Sequence, residues 1–153
     1  MLKQTAISAL EDHYGFHLRV VSNAVSHEFA RKVAARGVTV AEWAFLRVLY
    51  DAAPAAPSAL AARMGMTKGA ITKLAQRLIA KDLVARDADP GDGRAQFLAL
   101  TAKGRAIVPK LAKLADANDV AFFDVLAAAE RETLGRILKK LTDRHALKGV
   151  AAD

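Results

Sequence analysis

PSALAARMGMTKGAITKLAQRLIAKDLVARDADPGDGR, residues 57–94, is the stretch on which the fold turns. Leu60, Ala61 and Met64 recur at helical spacing and mark the inner face of a short first helix. Gly65 follows where that helix must stop and reverse, a step that needs the left-handed backbone glycine adopts freely. Thr67 is placed to cap a second helix with its hydroxyl. Ile71, Leu74 and Leu78 then bury one face of it, and Lys68, Gly69, Ala70, Thr72, Lys73, Gln76 and Arg77 occupy the other. The methyl of Ala61 suits two helices crossing steeply through a tight turn. The pattern predicts a helix-turn-helix. An ordinary helical hairpin is the plain alternative, and charge weighs against it. Between Arg63 and Arg86 there are six cations (Arg63, Lys68, Lys73, Arg77, Lys81, Arg86) and one acid, Asp82.

Outward from the second helix, Leu83 to Arg86 reads as a short strand and Gln96 to Leu100 as its returning partner. Between them lies Asp87-Ala-Asp-Pro-Gly-Asp-Gly-Arg94, rich in turn formers. A hairpin of this kind makes a wing beside the helix pair. Arg94 is the candidate for entering a minor groove, where a cation meets the strongest negative potential. Asp92, two residues earlier, is placed to hold its guanidinium in a bidentate pair. The candidate DNA-binding set is Ser58, Thr67, Lys68, Gly69, Ala70, Thr72, Lys73, Arg77, Arg86, Asp92 and Arg94. In it, Ser58 caps the first helix and meets a phosphate, and Lys68, Thr72, Lys73 and Arg77 read bases or clamp phosphates. Gly69 and Ala70 allow close approach, and Ala70 is placed to touch a thymine methyl.

The helix-turn-helix, the DPGDGR turn and the following LALTAKGRAI resemble the MarR family of bacterial transcription regulators. Asp89-Pro90, Asp92, Arg94, Leu100, Thr101 and Gly104 match that family's wing and the opening of its next helix. Gly93 stands where the family often has a second basic residue. The resemblance implies a winged-helix homodimer, usually a repressor, often released by a small aromatic acid or another effector.

The remaining chain is read by composition and period. At 153 residues it is expected to be one domain, and its high apolar, alanine-rich and aromatic-poor composition favours close-packed helices over sheets. A net charge of +7 favours an anionic partner. No apolar run is long enough to span a membrane, and the opening residues lack the apolar core of a signal peptide. The chain is therefore read as cytoplasmic. Without cysteine it has no disulfide, thiolate ligand or thiol switch.

Leu10, Tyr14, Leu18, Val21, Val25, Phe29 and Val33 predict an amphipathic helix from about 7 to 36, closed by Gly37. At ~45 Å by the ~1.5 Å rise per residue, so small a domain cannot cover it, which points to a second subunit. Gly15 would be a weak spot inside this helix. Thr39 and Glu42 form a capping-box pair for the next helix, which carries Trp43, Leu46, Leu49 and Tyr50 inward and is broken at residues 51–57. Thr101 caps a second long helix bent at Pro109, with an irregularity expected at 116–119. A last helix begins near Ala129. Helices at about 7–36 and 102–146 would form the dimer around a reading head at about 39–100. Two heads about 34 Å apart would match one turn of DNA and a pseudo-palindromic site.

Nothing in the sequence is a catalytic motif, and no cofactor or metal is expected. The 87–93 turn lacks the oxygen donors and the closing glutamate of a calcium loop. His13 and His17, four residues apart, have no thiolate and no carboxylate at clear spacing to complete a ligand set. In the resembled family the effector lies between the dimer helices and the head. Here Phe16, His17, Val20, Trp43, Arg47 and Tyr50 would line that region and suit an aromatic carboxylate. The fold expected is mainly α with a small β-hairpin wing, a winged helix-turn-helix dimerised through its terminal helices. The partners expected are double-stranded DNA, a second copy and a small aromatic or phenolic ligand, with no membrane. A winged-helix protein-interaction module and a non-specific architectural DNA-binding protein are the rival readings.

Overall fold

The computed structural model describes residues 6–52, 54–88 and 96–147. A short 3-10 turn, Leu10–Asp12, leads into α1 (Tyr14–Ala34), followed by α2 (Val40–Asp51), α3 (Pro57–Met64) and α4 (Lys68–Ala80). Strands β1 (Val84–Ala88) and β2 (Gln96–Leu100) come next, then α5 (Ala102–Phe123) and α6 (Ala128–Arg144).

The middle of the chain closes on itself. Phe45, Leu46 and Leu49 of α2, Leu60 and Met64 of α3, and Ile71 and Leu78 of α4 are essentially inaccessible to solvent. Leu83, Val84 and Leu98 at the base of the wing and Val108 and Leu111 of α5 join the same cluster. Each large apolar side chain so buried contributes about 1.5–3 kcal/mol. The capping box of α2 forms as its spacing predicts: Glu42 N–H donates to Thr39 Oγ1 at 3.1 Å, and Thr39 N–H donates to the Glu42 carboxylate at 3.2 Å.

The strands pair antiparallel, Val84 opposite Leu100 through Ala88 opposite Gln96. β1 therefore starts one residue later than the pattern suggested and runs two further. Ala55, in the stretch expected only to break α2, exchanges both backbone hydrogen bonds with Leu98 at 2.9 and 2.8 Å. The hairpin is thus pinned to the α2–α3 connection on one side. On the other, α5 begins hard against it. Thr101 caps α5 by accepting from Gly104 N–H at 3.0 Å, and a side chain on Gly104 would run into the Leu83 carbonyl.

Other expectations are corrected. α1 starts at Tyr14, because residues 7–13 are taken up by extended chain and the 3-10 turn, so it is ~32 Å long. Gly15 consequently sits in its first turn, where the helical penalty is small. Pro57, with its fixed φ, takes the first position of α3, so Ser58 lies inside the first turn and the cap position is Ala56. α5, which carries Pro109 inside it, runs without an irregularity at 116–119. Asn118 within that stretch is buried: its amide donates to the Val25 carbonyl of α1 at 3.3 Å and its oxygen accepts from Lys32 Nζ at 3.1 Å.

Candidate nucleic-acid interface

The turn between α3 and α4 is built as the sequence demands. Gly65 has φ 63° and ψ 32°, the left-handed conformation that ends α3. Thr67 Oγ1 accepts from Ala70 N–H at 3.2 Å and starts α4. Ile71, Leu74, Ala75 and Leu78 turn into the core, which fixes the opposite face outward. Thr67, Lys68, Gly69, Thr72, Lys73, Gln76 and Arg77 are all exposed. Among the described residues, the Lys68, Lys73 and Arg77 side chains have neither a hydrogen-bond nor an ion-pair partner. Thr72 Oγ1 donates to the Lys68 carbonyl at 2.9 Å, which leaves its lone pairs as the free part of that hydroxyl. Gln76 stands one turn beyond Thr72 on this face, a spacing that could have added it to the candidate readers from sequence alone.

Four members of the sequence-derived set stand differently. Ala70 is half-buried, lining a groove of about 280 Å³ with Thr39, Ala41, Met66, Lys73, Leu74 and Arg77. Its methyl is therefore less available than those on the outer face. Ser58 is exposed but caps nothing. Asp92 and Arg94, with the rest of the wing tip, lie outside the described residues, while Arg86 is exposed on β1. Lys81, one of the six cations of the basic stretch, turns away. Its Nζ lies 2.7 Å from the Glu42 carboxylate and donates to the Gly37 carbonyl at 2.8 Å.

The residues expected around an effector fall on two helices. Trp43, Arg47 and Tyr50 share a face of α2. Trp43 meets Phe29 edge-on at 6.3 Å, and Arg47 pairs with Asp51 at 2.6 Å. Arg47 and Arg105 both lie over the Tyr50 ring, at 6.0 and 5.3 Å. Phe16, His17 and Val20 are on the first turns of α1, and among the described residues no hydrogen bond, ion pair or ring contact joins them to the α2 set. The structure does not bring the six together within one chain. The His13 and His17 rings lie within hydrogen-bonding distance of backbone carbonyls of Ala9, Leu10 and Glu11.

A helix pair joined by a tight glycine turn, with an exposed cationic second helix and a pinned hairpin beside it, defines a winged helix-turn-helix protein of the DNA-binding class. A model of the MarR family matches residues 36–95. The putative transcriptional regulatory protein for the hcr operon of Thauera aromatica is 31% identical over 141 residues, which cover 92% of this chain and 85% of that one. The crystal structure of a probable transcriptional regulator from Pseudomonas aeruginosa is 30% identical with a TM-score of 0.79, over 87% of this chain and 99% of its own. A cysteine-to-serine variant of MarR from Escherichia coli, complexed with operator DNA, is 26% identical with a TM-score of 0.78, over 88% and 99%. The chain belongs to the MarR family and is a transcriptional regulator of that type, not an enzyme. None of its described helices is long and apolar enough to cross a membrane.

Proposed function

We propose that the protein works as a homodimeric repressor of a pseudo-palindromic operator. The observation that carries this reading is the outward face of α4, with Lys68, Lys73 and Arg77 exposed and unpaired among the described residues. Such cations supply salt-dependent affinity for phosphates, and Thr72, Gln76 and the small Gly69 beside them let the helix approach base edges. Arg94 is the residue proposed for the minor-groove contact flanking each half-site.

The dimer reading is supported by what a single chain leaves uncovered. α6 buries none of its residues, and Tyr14, Leu18, Val21, Val125, Ile137, Leu138 and Leu141 are exposed. They line an apolar groove of about 760 Å³ between α1, the end of α5 and α6. A surface of that kind is an interface in a folded protein. Repression follows where the operator overlaps a promoter. A small aromatic acid at the Trp43, Arg47 and Tyr50 face of α2 would release it by binding better to a dimer whose heads are wrongly spaced. Two guanidiniums close to the Tyr50 ring, those of Arg47 and Arg105, support that ligand class.

The test is fluorescence anisotropy with duplex DNA from upstream of the protein's own coding sequence, beside an unrelated duplex, across a range of salt. Selective binding with a steep salt slope supports the reading, and absence of binding to either duplex at low salt overturns it. Trp43 fluorescence and melting temperature that both ignore a panel of aromatic acids would remove the effector.

A further inference from the structure

The geometry points to Lys81 as a positioning residue that, through the buried Glu42, fixes how the recognition helix sits against the two long helices. This rests on the regulator reading above. Lys81 lies at the C-terminal end of α4 and is the residue its sequence neighbours suggest as one more phosphate contact. The structure commits it elsewhere. Glu42 is 1% exposed, and its Oε2 takes both the Thr39 N–H that closes the cap of α2 and the Lys81 ammonium. The same ammonium donates to the Gly37 carbonyl in the turn between α1 and α2. From the other side, Lys103 Nζ donates to the Lys81 carbonyl at 3.1 Å, and Thr101 Oγ1 to the Asp82 carbonyl at 2.7 Å. The end of the recognition helix is held between the turn that leads from α1 into α2 and the first turn of α5.

Elsewhere α4 packs on α2 and α3 through apolar side chains. Such contacts stabilise but are non-directional, and allow a helix to slide or rotate with little change in buried area. An ammonium shared between a carboxylate and a carbonyl has fixed distances and directions. An ion pair with one partner buried and the other half-exposed adds little net stability, so what it contributes is a defined geometry. In a dimer, that geometry sets the distance between two recognition helices, because α1 and the end of α5 carry, with α6, the apolar groove that would meet the partner.

The two roles for Lys81 predict opposite signs. Three variants are measured against the upstream duplex and an unrelated duplex: Lys81→Met, Glu42→Gln, and the two combined. A positioning role predicts that each single variant loses about tenfold in preference for the upstream duplex, and that the double variant loses no more than either. Binding to the unrelated duplex and its salt slope stay unchanged. Lys81→Arg, which keeps the charge and the donors, restores part of the preference. A phosphate-contact role predicts that Glu42→Gln strengthens binding to both duplexes by freeing the cation. It also predicts that Lys81→Met lowers the salt slope by about one on both, and either result overturns the inference. Lys81→Met strands a buried carboxylate, so circular dichroism is recorded for each variant. Should that variant unfold, the double variant, which buries no charge, decides by the same ratio. Preference equal to wild type in a folded variant overturns the positioning role. A wild-type protein with no preference between the duplexes would instead overturn the regulator reading itself.

Discussion

The reading head and the long helices solve the same problem in opposite ways. From α2 to the start of α5, apolar side chains face one another, and Phe45, Leu60, Met64 and Leu78 are fully enclosed by a single chain. Along α1 and α6 the apolar residues are as regularly spaced, yet Tyr14 is 88% and Leu138 40% exposed. The contrast separates fold from assembly. The head holds its shape by its own core, whereas the terminal helices carry a finished stripe with nothing against it. Polar groups divide the same way. Glu42 and Asn118 are buried only where the long helices join the head or each other, and each has hydrogen-bond partners there.

The largest test of that contrast is a cavity in the head. Phe45→Ala should cost about 3–5 kcal/mol in urea unfolding, and a loss below 1 kcal/mol would mean the head is not a self-contained core. Next in size is a charge in the stripe. Leu138→Glu should raise the dimer dissociation constant by about a hundredfold, the ~3 kcal/mol scale of an unpaired charge buried in an apolar contact. Sedimentation equilibrium reads the mass, and the circular dichroism of the head should be unchanged. Arg94→Ala should weaken operator binding by about 1–3 kcal/mol with no change in melting temperature; unchanged affinity removes the wing from the interface.

Smaller effects sharpen the boundary between folding and reading. A side chain at Gly69 would meet nothing within the chain, and Gly69 is the second residue of α4, so Gly69→Ala should stabilise the helix by less than about 0.5 kcal/mol. The same change should weaken operator binding, since the methyl would stand between helix and groove. A variant both more stable and equally tight would show that the glycine serves no approach to DNA. Asp82, at φ 59°, is the left-handed residue that turns α4 into β1. Asp82→Gly should raise stability by less than 1 kcal/mol in thermal melts.

The head was legible because its signals are local. Gly65, Thr67 and the Ile71–Leu74–Leu78 spacing each act within a turn of helix, as do Thr39 with Glu42 and Thr101 with Gly104. What escaped depends on distance along the chain. Ala55 pairs with Leu98 through backbone atoms, which leave no mark on side-chain pattern. Lys81 looked like one more cation of a basic stretch because its carboxylate lies in α2, and Asn118 looked like a break because its partners are on α1. Ser58 was misread for a local reason: Pro57 before it is pre-set for the first helical position. The candidate readers on α4 were legible from the period, with Ala70 the exception. It sits at the edge of the buried face, where the neighbouring helix and not the spacing decides exposure.

The measurement that bears most directly on this account is the stoichiometry of the protein on its own upstream DNA, by sedimentation velocity with a labelled duplex. Two chains per duplex, lost together with affinity in Leu138→Glu, is the expected result. One chain per duplex at full affinity, unaffected by that substitution, would contradict it and leave the exposed stripe without a part in reading DNA.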